Sequence, residues 1–107
     1  MPADAVAVAP HMYKVVLEND RVRVLDARGK PGDRSEMHAH PAGVAITLAG
    51  AKVRVTLADG QTIEREFTRD DVRFMEPTEH AGEIVGPGEL RVLIVELKQT
   101  GTRSATA

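Results

Sequence analysis

The segment Gly32-Asp-Arg-Ser-Glu-Met-His38-Ala-His40-Pro-Ala-Gly43-Val-Ala-Ile-Thr-Leu-Ala-Gly50 decides how this chain is read, because it holds two of the four histidines and spaces them two residues apart. On an extended strand, residues i and i+2 project from one face, so His38 and His40 aim both imidazoles at one point. Such a pair suits a metal ion, although alone it also fits a solvated or packed strand. His80 strengthens the metal reading. It follows a second short apolar strand, Val72 to Met75, and a proline turn, where a closing barrel would bring a third ligand back to the first two. Three neutral imidazoles leave a divalent first-row ion with open positions, and imidazole suits zinc, copper, iron and nickel.

Outward from that segment, 107 residues make one domain with one core. Fourteen Lys and Arg against sixteen Asp and Glu give a net charge of -2, with no basic excess to bind a phosphate backbone, so nucleic acid is not an expected partner. Cysteine is absent, which removes disulfides, thiolate nucleophiles and thiolate metal sites and leaves histidine and carboxylate as the strong ligands. The start, Met-Pro-Ala-Asp-Ala-Val-Ala-Val-Ala-Pro, is acidic with too short an apolar run for a secretory signal. The longest uncharged run, Pro41 to Ala51, falls far short of the ~18 residues a membrane helix needs. A cytoplasmic protein is expected, with no membrane partner. Both termini are expected to be flexible around a core of residues 13–98, and the small polar tail from Gly101 to Ala107 to fray.

The body reads as eight or nine short strands rich in Val, Ile, Leu and Thr, broken by glycine, proline, asparagine and aspartate. They are Tyr13 to Leu17, Arg21 to Ala27, Ser35 to His40, Val44 to Leu48, Lys52 to Leu57, Thr62 to Phe67, Val72 to Met75, Ala81 to Val85 and Leu90 to Leu97. No helix pattern is evident. Asp59-Gly60 is the strongest hairpin signal, through a tight turn that needs positive φ. Pro87-Gly88 turns the chain before the last strand. Short antiparallel strands at this spacing predict an all-β single domain, a sandwich or barrel that removes exposed edges by folding into a jelly roll.

Gly32, His38-x-His40 and Gly50 resemble the first motif of the cupin superfamily, and His80 falls where its second motif supplies the last histidine, after a strand shaped like Asp71-Val-Arg-Phe-Met. The matching motifs run from Gly32 to about Gly86, and the chain is similar to a small single-domain cupin. That resemblance implies a compact antiparallel jelly-roll barrel, often a homodimer, with a metal inside held by His38, His40 and His80. The sequence also departs from the pattern. Gly43 stands where the family usually has a ligand glutamate, Ile84 where an asparagine is common, Asp70 opens the second motif in place of glycine, and its proline is displaced to Pro77. Only the three histidines carry over.

Two arrangements follow from the missing carboxylate. In one, the ion sits on three neutral histidines and keeps its full charge, as in the cupin thiol and diketone-cleaving dioxygenases, so that anionic chelating ligands gain most. In the other, a different carboxylate substitutes. Glu36 shares strand parity with His38 and His40 and is the candidate ligand or general base; Glu76 and Glu79, in the turn before His80, are weaker candidates than rim acids. Gly43 would leave a void beside the metal for a ligand, with Ala45, Thr47 and Phe74 continuing the substrate pocket. Phe74 and Met75 also fit a plain core role, His11 reads as a surface residue, and Gly32, Gly50, Gly60 and Gly88 as turn glycines.

The expected function is that of a metal-dependent dioxygenase, ferrous iron favoured over Mn, Ni, Zn or Cu, acting on a small organic acid, diketone, phenol or thiol. Two alternatives stand beside it: a non-enzymatic module binding a metal or small ligand, and a metal-dependent isomerase or lyase on a sugar or keto acid.

Overall fold

A computed structural model of the protein describes residues 3–98, so the tail from Gly101 lies outside the described residues. Nine strands follow one helical turn: α1 (Ala5–Val8), β1 (Tyr13–Glu18), β2 (Val22–Gly29), β3 (Arg34–His40), β4 (Gly43–Ala49), β5 (Ala51–Leu57), β6 (Thr62–Phe67), β7 (Val72–Met75), β8 (Thr78–Gly86) and β9 (Leu90–Leu97). They form two antiparallel sheets, β1-β2-β9-β4-β7 and β3-β8-β5-β6. After the β1–β2 hairpin the chain crosses between sheets at every connection except the β5–β6 hairpin, which is the jelly-roll topology the strand pattern implied.

Alternation along the strands builds the core between the two sheets. Leu25 and Ala27 of β2, Val92 and Ile94 of β9 and Ala45 of β4 face Val53 and Val55 of β5 and Ile84 of β8. Outer-face charges pair across strands instead, Arg54 reaching Glu64 at 3.1 Å and Glu83 at 3.4 Å.

Two sequence expectations change. The N-terminal stretch is not a loose arm: Asp4 caps α1, its side chain accepting from Val6 N and Ala7 N, and Ala5 and Ala9 are completely buried. A four-residue turn is too short to leave a periodic signal, and it is stabilised by packing and by its cap. The β5–β6 hairpin follows the expectation, with Gly60 at positive φ, +91°, and Leu57 N–H donating to the Gln61 carbonyl. Finally, β8 starts at Thr78, so His80 lies within a strand and not in the turn before it. Leu57 of β5 and His38 of β3 both flank it in register.

Candidate metal centre

All three histidines stand on the inner face of one sheet. His38 is directly opposite His80 across the β3–β8 ladder, and His40 follows two residues along β3. A β-bulge between Ser35 and His38 sets this face. Because it inserts an extra residue, the strand's parity slips there. Ser35 is buried on the histidine side and Glu36 is exposed. Glu36 is therefore neither ligand nor interior base, and strict two-residue alternation misplaced it. Its backbone carbonyl does the work, accepting a 2.6 Å hydrogen bond from His38 Nδ1.

The rings converge. Their centroids are 4.9 Å apart for His38–His40 and His38–His80 and 5.2 Å for His40–His80, and one nitrogen from each lies within 4.8 Å of the others. With metal–nitrogen bonds of about 2.0–2.1 Å, two ligand nitrogens on one ion sit about 3 Å apart, so the triangle closes by shifts on the order of 1 Å. His38 is 0 % and His40 3 % exposed. His40 Nδ1 donates to Glu96 Oε2 at 3.0 Å. With both Nδ1 atoms engaged as donors, His38 and His40 keep Nε2 as the lone-pair nitrogen, the tautomer a metal requires. Among the described residues the His80 ring has no hydrogen-bond partner at all, and Tyr13 OH, 3.2 Å away, donates to His38 Nε2. Converging imidazole nitrogens, of which His40 Nε2 and the His80 ring have no hydrogen-bond partner among the described residues, fit an ion held between them.

Electrostatics agree with that donor set. Burial pushes the His38 pKa down, with His40 acting in the same direction against the Glu36 hydrogen bond. Burial first, then the neighbouring His40, His38 and Arg65, push His80 down to about 4. His38 and His80, so held neutral, need lose no proton to a metal. Burial and the Glu96 charge push the Tyr13 phenol up, so it keeps its proton.

The carboxylate nearest the centre comes from the opposite sheet. Glu96, 2 % exposed, lies on the inward parity of β9 beside Val92 and Ile94. Arg23, its register partner on β2, donates to it from Nε at 2.9 Å, lies in ion-pair contact with it through Nη2 at 2.8 Å, and donates from Nη2 to Asp4 at 2.5 Å. A chain Asp4–Arg23–Glu96–His40 thus ties the N-terminal turn to the histidine site. Sequence reading missed Glu96, Arg23 and Tyr13. The signal was present in Glu96, a lone acid on the apolar parity of a central strand, where a charge without a partner is too costly to keep.

Gly43 is opposite Glu96 across the β4–β9 ladder, and the void expected there is absent: a Cβ would strike the Val95 carbonyl oxygen. The glycine is needed for close approach of two backbones. Of the other expected pocket residues, Ala45 lines both the inner cavity, about 110 Å³, and the mouth, about 420 Å³, which share His80 as a wall. Thr47 is buried but lines neither, its backbone being used by Asp70 and Asp71. Phe74 borders the mouth while its side chain, 57 % exposed, lies on the outer parity of β7; Arg73 and Met75 take the inner one. Glu76 also borders the mouth, exposed to solvent, and Glu79 pairs with Ala39 on the parity opposite His80. His11 is exposed, its Nε2 donating to the Arg34 carbonyl.

No family model and no curated protein matches the sequence. Solved structures do. The fold is similar to that of a cupin domain from Bordetella pertussis Tohama I, at 21 % identity and TM-score 0.75 over 92 % of this chain and 98 % of that one. A double-stranded β-helix protein from Klebsiella pneumoniae gives 21 % and 0.63 over 84 % and 75 %. A cupin superfamily protein from Desulfitobacterium hafniense gives 19 % and 0.58 over 82 % and 77 %.

Proposed function

From a cupin fold carrying three convergent imidazoles, we propose that this protein is a metal-dependent dioxygenase acting on a small organic acid, diketone, phenol or thiol. His38, His40 and His80 hold a divalent first-row ion, ferrous iron first. When bound, that ion supplies Lewis-acid and one-electron chemistry and keeps positions open for a chelating ligand. The observation that carries the reading is the all-histidine donor set: Gly43 removes the usual acidic position, and the nearest buried acid, Glu96, is committed to His40 and Arg23.

The protein's own groups have limited acid–base capacity. Glu36 faces solvent and Glu96 is in an ion pair, so neither can shuttle a proton to the pocket. Tyr13, whose hydroxyl lies against His38 Nε2, is an uncharged donor lining the inner cavity, able to hold a hydrogen bond to a substrate oxygen. The apolar wall of Val53, Val55, Val92 and Ile94 excludes water behind the site. Chemistry led by the ion fits these residues better than catalysis by side-chain acids and bases.

Among the described residues no helix is long and apolar enough to cross a membrane. The same proposal has the chain work in the cytoplasm as a homodimer, the exposed Val16 and Leu17 on edge strand β1 favouring a second copy.

The test is oxygen uptake by iron-loaded protein on addition of small chelating acids, diketones, phenols and thiols. Uptake matched to substrate loss is expected, and should vanish in His38→Ala and His80→Ala under conditions in which urea unfolding in chelator shows both variants still folded. Turnover without oxygen would replace the proposal with a lyase or isomerase. Tight ligand uptake without product would replace it with a binding module.

A further inference from the structure

Strand β6 carries an arginine where the barrel interior calls for an apolar residue. Ile63, Arg65 and Phe67 share the inner parity of β6, and Arg65 is opposite the buried Val53 of β5. Outer-face cations of the same sheet find acids: Arg54 pairs with Glu64 and Glu83. Arg65 pairs with no carboxylate among the described residues. On the edge of the other sheet, Arg73 also takes the inner parity, opposite Ala45. Its guanidinium carbon is 5.9 Å from the Phe67 ring centroid, which turns it toward β6, and its acid partner Asp71 is a half-exposed neighbour at 3.0 Å. Such an exposed pair is weak and readily given up.

Both arginines therefore line one mouth, about 420 Å³, whose floor includes His80 and whose sides are Val55, Leu57, Phe67 and Met75. Two guanidiniums opening into one mouth, where Arg65 has no acid partner among the described residues and that of Arg73 is half exposed, leave positive charge for an anion to balance. The guanidinium fork matches the two oxygens of a carboxylate. We propose that Arg65 and Arg73 form an anion subsite at the mouth of the metal pocket, so that the ligand is a small organic carboxylate whose hydrocarbon body lies against the apolar walls and whose other end reaches the histidines. The part of this inference that concerns the far end rests on the metal site proposed above; the anion subsite itself does not.

Zinc-loaded wild type, Arg65→Gln, Arg65→Lys and Arg73→Gln are titrated calorimetrically with glutarate, its neutral diamide and inorganic phosphate, and zinc content is measured on the same samples. Wild type is expected to prefer glutarate to the diamide. Arg65→Gln should lose glutarate affinity by roughly 10-fold with zinc content and diamide affinity unchanged, and Arg65→Lys should fall between. Phosphate bound more tightly than glutarate, and lost in Arg65→Gln, keeps the subsite but overturns the carboxylate assignment. Glutarate and phosphate binding that both glutamine variants leave unchanged, or no binding by either anion, overturns the subsite. If wild type takes up no zinc, the metal proposal falls, while anion binding that still depends on Arg65 sustains the subsite.

Discussion

Replacing Glu96 with glutamine should weaken metal binding as well as folding. The carboxylate accepts from two N–H groups, His40 Nδ1 at 3.0 Å and Arg23 Nε at 2.9 Å, and is ion-paired with Arg23 Nη2 at 2.8 Å, at a position 2 % exposed. An amide of the same shape offers one oxygen to two donors, turns its NH2 against one of them and removes the charge that faces Arg23. His40 then loses either its Nδ1 acceptor or its orientation, and the ring becomes a poorer donor through Nε2. Loss of such an outer partner typically costs about 10- to 100-fold in metal affinity, which is about 1.4–2.8 kcal/mol. Folding of the metal-free protein should lose about 2 kcal/mol, because Arg23 keeps Asp4 when Glu96 is neutralised. Competition with a chromophoric zinc chelator measures the first quantity and urea unfolding in chelator the second. Val92→Ala, a buried neighbour with no polar role, serves as control: about 2 kcal/mol less stable with zinc affinity unchanged. Zinc affinity of Glu96→Gln within about 2-fold of wild type, or an equal loss in Val92→Ala, would refute the role assigned to Glu96.

The remaining predictions concern protons, backbone and core. Since the folded His80 ring titrates at about 4 and the free side chain at 6.5, the unfolded chain takes up this proton first; the stability held by the neutral ring is full above about pH 6.5 and is lost as pH falls toward about 4, up to about 3 kcal/mol. Burial pushes His38 the same way. Urea unfolding in chelator across that window should show the loss, and His80→Gln should flatten it; an unchanged slope would count against the burial argument. Gly43→Ala drives a methyl into the Val95 carbonyl and should destabilise by about 1–3 kcal/mol, measured as a lowered urea midpoint. Leu25→Ala, at a completely buried position between the sheets, should cost about 2–5 kcal/mol by the same assay while leaving zinc binding to the folded protein intact.

Much of this molecule was legible in one dimension because its governing signals are local. Thr62–Phe67 and Val72–Met75 run as alternation and turn residues said they would, and the His38-x-His40 spacing already implied two rings on one face. Chain composition limited the strong ligands to histidine and carboxylate before any strand was placed. What alternation could not supply was the bulge between Ser35 and His38, a single extra residue that sends Glu36 to solvent and Ser35 inward. Nor could it pair residues far apart in the chain. Glu96 meets His40, and Arg65 shares a mouth with Arg73, only because jelly-roll crossings stack two sheets and choose which strands face each other. Periodicity constrains which side of a strand a residue occupies, within one strand at a time. The partner across the barrel is set by packing between sheets, an interaction with no counterpart in any short window of sequence.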